Sequence, residues 1–113
     1  MSDCLFCKII AGEIPSKKVY EDEQVYVFED VKPVAPTHVL IVPKRHFRGL
    51  REAAPEDAPV IGYCHIIAAK LARERGIEDG YRTVLNVGPD AGQSVFHFHL
   101  HLIGGRHLKW PPG

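Results

Sequence analysis

The chain has 113 residues, room for one domain of ordinary size and not for two. With 45% apolar and 25% charged residues it has the composition of a globular chain able to bury one core, not a disordered or fibrous one. Fourteen Lys+Arg balance fourteen Asp+Glu, so no basic footprint advertises specific nucleic-acid binding or an anionic membrane surface.

The opening Met1-Ser2-Asp3-Cys4 has no cationic or long apolar stretch, so no secretory signal is expected and the chain reads as cytoplasmic. Its longest apolar runs, such as Val39-Leu40-Ile41-Val42, are far shorter than the roughly 20 residues of a membrane helix. Three cysteines, Cys4, Cys7 and Cys64, are an odd number, and no disulfide scaffold is expected in that compartment. Ser2 or Asp3 can cap a short helix over about Cys4 to Ala11, with Gly12 as its stop. Lys18–Glu21 and Val25–Phe28 read as a hairpin around an acidic turn. His38–Val42 is β-branched and suits a strand buried on both faces, ended by Pro43.

A longer helix follows, with Pro55 at its first position, Glu56 and Asp57 in the first turn, Arg73 and Arg75 in the last, and Gly76 beyond. Ile61, Cys64, His65, Ala68, Leu71 and Ala72 share one stripe, which makes Cys64 and His65 core-face residues. Tyr81–Val87 and Val95–Ile103 read as the last two strands, joined by a loop containing Gly92-Gln93-Ser94. The expected class is α+β, a five-stranded, mainly antiparallel sheet with two helices.

Phe96-His97-Phe98-His99-Leu100-His101-Leu102 alternates strictly. On a strand, His97, His99 and His101 share one face and the apolar residues the other. Three imidazoles in register suit either a metal site or nucleophilic and acid–base catalysis at phosphorus, for which an unperturbed pKa near 6.5 is apt. The upstream Gly92, Gln93 and Ser94 favour the second, because they offer backbone N–H groups, an amide and a hydroxyl to an anion. Cys4-Leu5-Phe6-Cys7 is a C-x-x-C that can grip zinc but needs two more ligands, and without an adjoining βαβ pattern a redox role is the weaker reading.

His97-Phe98-His99-Leu100-His101-Leu102-Ile103 resembles the His-x-His-x-His-x-x motif of the histidine triad superfamily. Phe6–Pro15, Asp30–Pro43, Asn86, Gly92-Gln93-Ser94 and the ending Gly104-Gly105-Arg106 to Trp110-Pro111-Pro112-Gly113 are similar to its nucleotide-binding (Hint) branch. The likeness spans essentially the whole chain. It implies one domain over residues 1–113, a homodimer with joined sheets, and a tail, residues 104–113, that brings Trp110 to the partner's site. It also implies a purine nucleotide phosphoramidase acting on adenosine 5'-phosphoramidate or nucleotidyl-lysine.

In that reading His99 is the nucleophile, His101 bonds phosphate oxygens or the leaving group, His38 holds the constellation and Ser94 protonates the leaving nitrogen. Gln93 and Asn86 would position phosphate and ribose beside Gly92, and Asp30 would take the ribose hydroxyls. Phe6, Ile9, Phe28, Val31 and Leu40 would form the base slot. The resemblance further implies a structural zinc on Cys4, Cys7, His46 and His97, which removes His97 from direct action on substrate. A catalytic zinc on His97, His99 and His101 is the competing arrangement. A binding module with vestigial turnover and a dinucleoside polyphosphate hydrolase are the alternative functions.

Overall fold

The computed structural model describes residues 3–113. Five strands form one sheet in the order β1-β2-β3-β5-β4, every neighbouring pair antiparallel. They are β1 (Lys18–Glu21), β2 (Val25–Glu29), β3 (Thr37–Pro43), β4 (Tyr81–Val84) and β5 (Leu100–Gly104), with α1 (Leu5–Ile10) and α2 (Ala58–Glu74). The α+β class, five strands and two helices expected from sequence are all present. The sheet is antiparallel throughout.

β3 occupies the centre and is buried along its whole length. Its alternate residues feed two cores. Val39 and Ile41 join Val25, Val27, Leu100 and Leu102 beneath α2, which contributes Cys64, Ile67, Ala68 and Leu71. Leu40 and Val42 join Tyr26 and Phe28 on the opposite face, where α1 lays Phe6 and Ile9. At roughly 25 cal/mol per Å² of apolar surface, these two layers supply most of the favourable term in folding.

Several boundaries differ from the sequence reading, each for a local reason. Asp3 does not cap α1, because Cys4 takes the N-cap position and its Sγ accepts from Cys7 N at 3.4 Å; Ser2 lies outside the described residues. Pro55 opens a separate 3-10 turn, Pro55–Asp57, ahead of α2. His65 is exposed and Ile67 takes the place expected for it in the core. It lies about 100° around the helix from Cys64, past the rim of the buried stripe.

The largest difference is at the histidine segment. β5 begins only at Leu100, so of the triad His101 alone lies in the ladder. Pro43 ends β3 and has no N–H to pair with an extended β5, and Phe98 N instead donates to Phe47 O at 2.8 Å. β4 likewise ends at Val84 instead of Val87. The facial alternation nevertheless survives, since Phe98 and Leu100 still face α2.

Candidate active site and metal centre

Beyond the ladder, side-chain bonds hold the histidines. The Nε2–H of His97 donates to the Pro43 carbonyl at 2.7 Å, which leaves Nδ1 as its lone-pair nitrogen. That atom lies 3.4 Å from Cys4 Sγ, 3.5 Å from Cys7 Sγ and 3.0 Å from His46 Nδ1, and Cys7 Sγ is 3.5 Å from His46 Nδ1. All four donor atoms lie within 4.8 Å of one another. A tetrahedral zinc with Zn–S of about 2.3 Å and Zn–N of about 2.0–2.1 Å requires S···N edges of about 3.5 Å, which these donors meet. The carbonyl behind His97 is the outer-shell partner that orients a ligating imidazole. This Cys2His2 cluster is a structural zinc site, closed by four protein ligands, and it overturns the arrangement with one catalytic metal on the three triad histidines.

His99 is oriented the other way. Its Nδ1–H donates to the His97 carbonyl at 2.7 Å, so the lone pair of a neutral ring sits on Nε2. Burial holds its pKa below the ordinary histidine value. Phe6 packs edge-on to the ring at a centroid distance of 5.0 Å.

A chain of contacts orders the remaining pair. Val34 N donates to His38 Nδ1 at 3.1 Å, so the His38 proton is on Nε2. There it lies 2.9 Å from His101 Nδ1 and 3.3 Å from Asp30 Oδ2. His101 therefore accepts at Nδ1 and keeps its own proton on Nε2. Burial, followed by the neighbouring His99 and His38, pushes His101 down to about 4, so it is neutral at pH 7.

His99 and His101 line a pocket of about 250 Å³ together with Leu5, Phe6, Ile9, Phe28, Asp30, Val31, Leu40, Asn86, Gly92, Ser94 and Val95. Nearly every nucleotide-site residue expected from sequence is thus brought to one cavity. Val31 is 91% exposed and stands at its rim. Gly92 has φ +91°, a left-handed conformation that only glycine adopts without strain. Leu5 and Val95 are additions that the α1 stripe and the residue after Ser94 could have signalled.

One expected residue lies elsewhere. Gln93 is buried, its Oε1 accepting from Gly88 N at 2.9 Å and its Nε2 donating to Arg48 O at 2.8 Å and Val95 O at 3.3 Å. Its amide shapes the loop that carries Gly92 and Ser94 instead of facing the pocket. Trp110, expected at a partner's site and not at its own, is 82% exposed and does not line this chain's cavity. The tail around it is tied down where Arg82 Nη2 donates to Lys109 O at 2.9 Å.

A buried sheet face carrying ordered histidines beside an apolar slot, cross-linked by a Cys2His2 cluster, defines the class of this protein. The chain belongs to the histidine triad (HIT) family: residues 3–109 match the family model described as scavenger mRNA decapping enzyme C-term binding, and HIT proteins match it along nearly its whole length. It is 50% identical over 114 residues to the 14 kDa zinc-binding protein of Zea mays, covering 99% of this chain and 89% of that protein. A HIT-like protein of Synechococcus elongatus is 47% identical over 111 residues, covering 98% and 97% of the two chains. Among solved structures, a HIT family hydrolase from Legionella pneumophila superposes with a TM-score of 0.96 at 47% identity, covering 98% of this chain and 100% of that one. The histidine triad nucleotide-binding protein from Candida albicans gives 0.81 at 36% identity, covering 96% and 83%.

Proposed function

We propose that the protein is a purine nucleotide phosphoramidase, cleaving the P–N bond of substrates such as adenosine 5'-phosphoramidate or nucleotidyl-lysine. The observation that carries the reading is the pair of opposed ring states on one wall of the pocket. His99 offers a lone pair at Nε2, and His101 offers a proton at Nε2. The likeness to a HIT family hydrolase and to a nucleotide-binding protein supports the same reading.

The base enters between Phe6, Ile9, Phe28, Leu40 and the rim residue Val31, the ribose hydroxyls meet Asp30, and Asn86 and the Gly92–Ser94 backbone receive the phosphate. His99 Nε2 then forms a bond to the α-phosphorus while the P–N bond to the amine breaks. The electron pair leaves with nitrogen, which takes the Ser94 hydroxyl proton. His101 stabilises the phosphoryl oxygens by donating from Nε2. Water next attacks phosphorus, returning a proton to Ser94, and the phosphorus–imidazole bond breaks with its electron pair restored to His99. The products are a nucleoside monophosphate and a free amine. Covalent catalysis divides one displacement into two easier ones. Zinc supplies a cross-link that positions His97, and through its carbonyl the ring of His99.

The reading includes a cytoplasmic homodimer. β4 is an edge strand with Tyr81 exposed, and Trp110 of residues 104–113 presents an exposed ring to a partner's site. Release of adenosine monophosphate from adenosine 5'-phosphoramidate tests the chemistry. Turnover should fall by at least about a thousandfold in His99→Ala, with nucleotide still bound, because the attacking nitrogen is lost. Equal activity in the variant removes the mechanism. Nucleotide binding without turnover in the wild type moves the protein to the binding-module class.

A further inference from the structure

The pocket shares lining residues with two clefts that differ in chemistry. One, of about 700 Å³, shares Ile9, Phe28, Asp30 and Val31, the nucleoside side. The other, of about 540 Å³, shares Leu5, Ser94 and Val95. The two clefts share no lining residue with each other. Ser94, which protonates the leaving nitrogen in the reading above, lines both the pocket and this second cleft, so the amine that it serves adjoins the cleft.

Arg48 lines the second cleft beside Cys4 and His46, whose donor atoms are turned to the zinc site, and its guanidinium is the cation left to select a ligand there. Its guanidinium sits over the Phe96 ring, 4.7 Å from the centroid, which holds a long cationic side chain in one place. Leu5, Val95 and Phe96 supply an apolar wall for methylene groups. Asp3 lines the same cleft, so any preference for an anion must come from the fixed position of the guanidinium instead of a general positive field. A planar, pre-positioned guanidinium is suited to a carboxylate.

We propose that the cleft beyond Ser94 is a leaving-group subsite in which Arg48 selects amines bearing a carboxylate. The inference rests on the phosphoramidase reading above and adds the chemistry of the amine. Its probes are adenosine 5'-phosphate joined through nitrogen to β-alanine and to β-alaninamide, which have the same length and differ by one negative charge. The wild type should favour the acid in kcat/KM by on the order of fivefold, the upper range for an exposed ion pair. Arg48→Gln should bring the ratio to about one, and Arg48→Lys should restore part of it. Equal values in the wild type, or a ratio unchanged in Arg48→Gln, overturns the subsite.

Calorimetric titration of the His99→Ala protein with the same two conjugates reads the preference without hydrolysis. If the wild type cleaves neither conjugate nor unsubstituted adenosine 5'-phosphoramidate, the phosphoramidase reading fails. The titration then still decides the subsite: tighter binding of the acid, lost on adding Arg48→Gln, upholds it, and equal binding removes it.

Discussion

At the scale of single residues, protons are placed mainly by the backbone. The carbonyls of Pro43 and His97 and the N–H of Val34 each engage one imidazole nitrogen, and so determine which nitrogen of His97, His99 and His38 is left for zinc, phosphorus or His101. None of this could be read from the alternation of histidines, because a sequence carries no tautomers. Asp22 shows a similar concentration of bonds away from the site. Its Oδ2 accepts from Tyr20 at 2.8 Å and Tyr63 at 2.5 Å, and its Oδ1 from the backbone N–H groups of Gln24 and Val25 at 2.8 and 2.9 Å.

Burial pulls the Asp22 pKa up, but those hydrogen bonds outweigh it and bring the carboxyl down from 3.8 to about 2. A carboxyl depressed on folding contributes stability that is full above its unfolded pKa and is lost as pH falls through the folded one. Asp22→Asn should therefore cost about 1–2 kcal/mol near neutrality. The gap in Tm between wild type and variant should close as pH drops from about 4 towards 2. Thermal melts across that range check it, and a gap independent of pH contradicts the assignment.

At the scale of elements, α1 does more than its six residues suggest. Phe6 and Ile9 cover the sheet and wall the pocket, while Cys4 and Cys7 bring it to His46 and His97. An isolated helix of this length is not stable in water, so packing and the metal must hold it in place. Cys4→Ser with Cys7→Ser should remove zinc and lower Tm by on the order of 10 °C, the effect of losing a ligand bound at about a hundred times its Kd. The rate at saturating substrate should fall by less than in His99→Ala. Metal analysis beside calorimetry and initial rates tests this, and an unchanged Tm in a zinc-free variant rules out the structural role.

At the scale of the whole molecule, the proposed homodimer turns on the C-terminal tail. Trp110 lies 82% exposed while the chain around it is anchored to β4 through Arg82. If the tail completes a partner's site, Trp110→Ala should leave Tm within about 2 °C of the wild type, as expected for a surface substitution. It should lower kcat/KM by several-fold. Sedimentation should give twice the mass of one chain. A monomer, or a Trp110→Ala protein of full activity, removes the tail from the site.

Local pattern alone determined the α+β class, the hairpin, the doubly buried β3 and the gathering of His97, His99 and His101 on one face, because period-two alternation assigns faces whatever the ladder does. Motif likeness added the zinc ligands and most pocket residues, since a binding geometry constrains residue types at set spacings. Only the tertiary structure decided that β5 starts at Leu100, that His65 faces solvent, that Gln93 serves its own loop and that Arg48 lines a separate cleft. The start of β5 and the bonds of Gln93 depend on which distant backbone groups remain to be bonded, and the exposure of His65 on which face of α2 the sheet covers, conditions met only when the chain is folded.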